Sequence, residues 1–155
     1  MFEVKLKGAR GRTVKHRMDY ERRHLGELSA GALGFLRECL ERAYGRAPDG
    51  ALRPALLVAY TRVTLAAPAL GERLTLDFDL AFAGPAGARG RLSPESVVVE
   101  SKSERGGAVA DRALRALGVR PAAGCSKYCL GVALTRESVR ANPLLPLLTR
   151  HFERT

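Results

Sequence analysis

Residues 55–66, ALLVAYTRVTLA, and 72–82, ERLTLDFDLAF, decide the fold. The first run reads as a long strand, the second carries the two-residue alternation of one, and APALG between them supplies the Pro and Gly of a turn. Together they predict a β-hairpin. In the second run Leu74, Leu76, Phe78, Leu80 and Phe82 should share one face, and Arg73, Thr75, Asp77 and Asp79 the other.

Outward from this hairpin the pattern repeats. Residues 2–7, FEVKLK, alternate Phe2, Val4 and Leu6 against Glu3, Lys5 and Lys7. Residues 12–18, RTVKHRM, alternate Val14, His16 and Met18 against Thr13, Lys15 and Arg17, and the turn GARGR joins the two as a second hairpin. His16, among apolar neighbours, is expected to pack. Residues 28–44 have helical spacing, with Ser29 as N-cap and a stripe of Leu33, Leu36, Leu40 and Tyr44. Residues 45–54 form a loop, GPAGARG (84–90) a flexible turn and 96–102 a strand. Helices follow at 108–117, closed by Gly118, and near 142–152, with Pro143 early in the latter. Strands, a helix, strands and two helices in that order predict an α+β domain with a mostly antiparallel sheet.

At 155 residues the chain is expected to form one domain. It contains no apolar run long enough for a membrane helix. The charged N-terminus, MFEVKLKGARGR, does not resemble a secretion signal, and a cytoplasmic protein is expected. Three cysteines make no disulfide framework. Cys125, Cys129 and His151 lack an evident fourth zinc ligand. The net charge of +10 points to an anionic partner, but arginine used freely on solvated faces would give the same total. Placement has to decide.

Placement favours a shared polar surface. Glu3-x-Lys5-x-Lys7, Lys15-x-Arg17, Tyr60-x-Arg62, Arg73-x-Thr75-x-Asp77-x-Asp79 and Glu100-x-Lys102 each project to one side of a strand. A barrel can turn such faces inward and its apolar faces outward against helices. Crowded cations are costly unless an anion neutralises them, and a phosphate chain would do so through charge-assisted hydrogen bonds.

FEVKLK, TVKHR, VAYTR, ERLTLDFDL, VVVESK and CSKY occur in the order seen in the VTC (vacuolar transporter chaperone) domain of polyphosphate polymerases, and the chain resembles that family over almost its whole length. The family belongs to the triphosphate tunnel metalloenzymes (CYTH-like). The resemblance implies an antiparallel β tunnel or barrel with flanking helices. It implies transfer of the ATP γ-phosphoryl group to a polyphosphate chain with Mn²⁺ or Mg²⁺. By position, Lys5, Lys15, Arg17, Arg62 and Lys102 match catalytic tunnel cations. Arg73, Lys127, Tyr60 and Ser126 match substrate contacts, and Glu100 matches the metal-binding carboxylate. Glu3 matches a tunnel acid beside Lys5, and it is a further metal candidate. Face and charge add Asp77 and Asp79 to the metal candidates.

The family's domain begins with further strands that carry another basic residue and an Arg-x-Arg pair. The chain therefore reads as the C-terminal part of that domain, an incomplete tunnel that a second chain or copy could complete. The Glu-x-Glu-x-Lys signature of the wider superfamily is absent. Two alternatives stay open: a non-catalytic module for polyphosphate, triphosphate or inositol phosphates, and a nucleic-acid binder.

Overall fold

The structure, a computed structural model, describes residues 1–8, 12–47, 50–104, 106–122 and 125–154. The chain divides into two compact units, Met1–Pro54 and Ala55–Thr155. Parts of the GARGR turn and of the 45–54 loop lie outside the described residues.

In the first unit β1 (Phe2–Lys7) pairs antiparallel with β2 (Thr13–Met18), from Phe2 opposite Met18 to Lys7 opposite Thr13. The helix α1 (Ala30–Tyr44) starts where Ser29 Oγ accepts from the Ala32 amide at 3.2 Å. It stops at Gly45, whose φ of 68° places it in the left-handed region that favours glycine. Val4, Leu6 and Cys39 are buried, with Phe2, Phe35, Leu36 and Leu40 packed on them. The stripe of α1 is thus centred on Ala32 and Cys39, one step round from the expected Leu33 line. Tyr44 closes the far end, its hydroxyl accepting from the Lys7 amide at 3.0 Å and donating to the Lys7 carbonyl at 3.1 Å. His16 does not pack as expected. It is exposed like Val14, because the residues buried against α1 come from β1.

The second unit is built on β4 (Glu72–Ala83). β3 (Leu57–Ala67) pairs along one edge of it. On the other edge β6 (Val98–Ser103) pairs with Glu72–Asp77 and β5 (Arg89–Leu92) with Ala81–Ala83. β7 (Phe152–Arg154) pairs with β5, and every ladder is antiparallel. β5 starts inside the segment expected as a flexible turn, which is therefore shorter. Helices α2 (Val109–Ala116), α3 (Lys127–Thr135) and α4 (Leu145–His151) complete the unit. The fold is α+β with antiparallel sheets, and among the described residues no sheet closes into a barrel, as an incomplete tunnel requires.

One residue corrects the expected faces. Ala59 opposes Ala81 and Thr61 opposes Phe78, so β4 carries one residue more than β3 between these pairs. The extra residue is a β-bulge at Asp79, whose φ is 52°. A bulge shifts alternation by one. Thr75 and Asp77 before it therefore lie on the same face as Leu80 and Phe82 after it, and all four are buried. Leu74, Leu76 and Phe78 fall on the opposite face, where Phe78, Val63 and Leu65 are exposed. The expected apolar face of β4 is thus split between the two sides. The core lies where α3 covers the second half of the shared face: Leu130, Ala133 and Leu134 pack with Leu80, Phe82, Leu92 and Leu148.

Candidate phosphate-binding face

The first half of that shared face is polar. Register places Arg62 opposite Asp77, Thr64 opposite Thr75, Arg73 opposite Lys102 and Thr75 opposite Glu100. Each pair projects to the same side of the sheet. Four cations (Arg62, Arg73, Lys102 and Lys127) and two carboxylates (Asp77 and Glu100) thus belong to one neighbourhood.

Asp77 is its centre. The side chain is 0 % exposed. Arg62 grips it as a fork, Nε donating to Oδ1 at 2.6 Å and a terminal nitrogen to Oδ2 at 2.9 Å. Lys127 Nζ, at the first residue of α3, reaches Oδ2 at 2.5 Å. The hydrogen bonds from Arg62, then Lys127, hold the Asp77 carboxyl below the usual carboxylate range against the opposing cost of burial. The same contact raises the Arg62 pKa further. Arg62 Cζ and Lys127 Nζ both lie over the Tyr60 ring, 4.9 and 5.5 Å from its centroid.

Glu100 pairs with Lys102 at 2.8 Å, and both side chains are nearly half exposed. That hydrogen bond lowers the Glu100 pKa, helped by the charges of Lys127 and Arg62. Thr75, which the sequence reading did not single out as a site residue, hydroxyl-bonds the Glu100 carbonyl at 3.5 Å. Ser126 caps α3, its Oγ accepting from the Cys129 amide at 3.5 Å. Asp79 stands exposed in the bulge. Cys125 and Cys129 are exposed free thiols, and His151 Nδ1 meets Ser96 Oγ at 3.1 Å.

The first unit carries a smaller basic cluster on the face of the hairpin away from α1. Glu3 accepts from Arg17 Nε at 2.7 Å and pairs with Lys5 at 3.3 Å. Hydrogen bonding to Arg17, then to Lys5, lowers the Glu3 pKa. Lys5 stands directly opposite Lys15.

Among the described residues no three His, Cys, Asp or Glu side chains gather as a metal cage. A magnesium- or manganese-like ion needs none when phosphate oxygens complete its shell, since one or two carboxylates then suffice. Glu100 fits that role, being ionised and reachable. Both oxygens of Asp77 are already engaged by cations, and so are both oxygens of Glu3.

The VTC domain family model matches residues 1–136. No curated protein and no solved structure matches the chain.

Proposed function

The chain belongs to the VTC domain family, and from that premise we propose that it binds ATP and polyphosphate and joins the ATP γ-phosphoryl group to the polyphosphate end. The carrying observation is the polar half-face around Asp77 and Glu100. Its cations outnumber its carboxylates, and Arg73 faces Lys102 across the ladder. Like charges at paired positions repel. A bound phosphate chain would turn that repulsion into charge-assisted hydrogen bonds. Lys5 opposite Lys15 supports the same reading in the first unit.

The reaction needs alignment more than a covalent nucleophile. An oxygen of the terminal acceptor phosphate, already ionised, attacks the γ-phosphorus. The bond from that phosphorus to the β–γ bridging oxygen breaks, and ADP leaves with the electron pair. Arg62 and Lys127 would hold the donor phosphates beside Tyr60. Arg73 and Lys102 would hold the acceptor chain. In the first unit, taken by itself, Lys5, Lys15 and Arg17 are proposed as phosphate contacts, and in the second Ser126, the N-cap that precedes Lys127, is proposed as another. Glu100 would hold the divalent metal, which when bound draws negative charge from the phosphate oxygens. The cations then stabilise the charge that develops on the transferring group.

Among the described residues the sheet stays open, and this gives a second reading some support. A face that does not close can hold a phosphate chain without excluding water from it. Incubation with ATP and Mn²⁺ separates the two. The enzyme reading expects polyphosphate and ADP. Retained triphosphate binding with neither product would overturn it and leave the non-catalytic module. Preference for oligonucleotides over polyphosphate would favour the nucleic-acid alternative.

A further inference from the structure

We propose that Asp77 is the positioning residue of this face, a buried anion that fixes two phosphate-binding cations from different elements in one geometry. The inference rests on the phosphate reading of the face and adds a role that is neither metal ligand nor substrate contact.

Three observations carry it. The first is connection. Arg62 comes from β3 and Lys127 from the start of α3, and Asp77 on β4 is the group both of them grip. Without it, two long side chains on separate elements would each lose rotamer freedom on binding a ligand.

The second is what the grip leaves over. Arg62 has five N–H donors, and its bonds to Asp77 use two. Lys127 has three donors and directs its nitrogen at one Asp77 oxygen. The Arg62 and Lys127 side chains remain 35 % and 22 % exposed, while Asp77 is fully buried. The cations are therefore held from beneath, with donors left for a ligand. The Tyr60 ring borders both heads and limits where they can swing.

The third is that stability does not require a charged arrangement at this place. A buried ion pair recovers little more than its desolvation cost, and apolar replacements are often as stable. The neighbouring half of the same face shows that apolar packing serves this sheet, with Leu80 and Phe82 under α3.

The charged groups around Asp77 make the test sharp. Arg62 and Lys127 touch it, and Glu100 and Lys102 lie on the adjacent strand of the same face. Asp77 is negative. If it acted only through its charge, removing that charge would tighten binding of an anion. A positioning role predicts the opposite sign.

The probe is inorganic tripolyphosphate, titrated calorimetrically into wild type and Asp77→Asn at pH 7. The expected result is measurable binding by wild type and a loss of about ten- to a hundredfold in Asp77→Asn, the weakening expected when one charge-assisted hydrogen bond to the ligand is lost. Equal or tighter binding by a folded Asp77→Asn would overturn the positioning role while leaving the phosphate reading intact. Failure of wild type to bind would overturn the phosphate reading, and this inference with it. A second measurement needs no variant. The Arg62 Nε–H of wild type should exchange slowly with solvent before ligand is added and change little afterwards. Fast exchange in the free protein would show that Asp77 does not hold the guanidinium, and would overturn the proposal even where Asp77→Asn fails to fold.

Discussion

Gly131 in α3 and Gly34 in α1 invite the same substitution with opposite outcomes. A Cβ added at Gly131 would overlap Leu56 Cδ2 and lie 2.5 Å from Phe82 Cδ1 and 2.9 Å from Phe82 Cε1. Leu56 can turn away. Phe82 cannot readily do so, because it is 2 % exposed and its ring centroid is 6.1 Å from that of Phe152. Ordinary carbon contacts need about 3.5 Å, so the ring edge or α3 must move by about 1 Å. Overpacking of this kind costs about 1–3 kcal/mol, and the upper half of that range applies where the intruding atom is fixed to backbone. Alanine recovers about 1 kcal/mol of helix propensity. Gly131→Ala should therefore destabilise the second unit by about 1–2 kcal/mol. Gly34 has nothing within 4 Å of its added Cβ, and Gly34→Ala should gain most of the propensity, about 1 kcal/mol, for the first unit. Native-state hydrogen exchange reads both units at once through the Phe82 and Val4 amides, which sit within paired strands. A neutral or stabilising Gly131→Ala would refute the packing of α3 on β4.

Further outcomes follow from single contacts. Ser29→Ala removes the cap of α1 and should cost about 1 kcal/mol, read by chemical denaturation of the first unit. Asp77 has a folded pKa below its unfolded one, so its stabilisation is complete above about pH 4 and fades as pH falls through the folded value. Stability of the second unit should be flat from about pH 5 to 7 and drop in stronger acid, and Asp77→Asn should flatten that drop. Cys125 and Cys129 should react with a thiol reagent in the native protein, whereas the buried Cys39 should react only on unfolding. Glu100→Gln should abolish metal-stimulated ADP formation while leaving metal-free tripolyphosphate binding within a few-fold of wild type. An equal loss of both would remove Glu100 from the metal role.

Both hairpins and the helix α1 were legible because alternation and capping are local signals, carried by Val4, Leu6, Leu74, Leu76 and Ser29. The bulge at Asp79 was not. Strict alternation through ERLTLDFDLAF hides an extra residue that becomes visible only against the partner strand. That one residue moved Leu80 and Phe82 to the side of Asp77 and left Phe78 exposed on the other. β5 and β7 were missed because each is too short, at four and three residues, to show a period. At the site, the pairing of Arg62 with Asp77 could have been found by counting back from the turn at Gly71, since the ladder beside that turn is regular. The reach of Lys127 could not, because no sequence pattern fixes where α3 returns to the sheet.

Titration of tripolyphosphate into wild type, Arg73→Ala, Lys102→Ala and Arg89→Ala tests the central claim most directly. Arg73 and Lys102 face each other on the proposed surface, and Arg89 is an exposed cation on β5. A charge-assisted hydrogen bond contributes about 1.5–3 kcal/mol, so losing one should weaken binding at least about tenfold in Arg73→Ala and in Lys102→Ala. Arg89→Ala should bind like wild type. Equal losses in all three variants, or none in any, would contradict a phosphate site on this face.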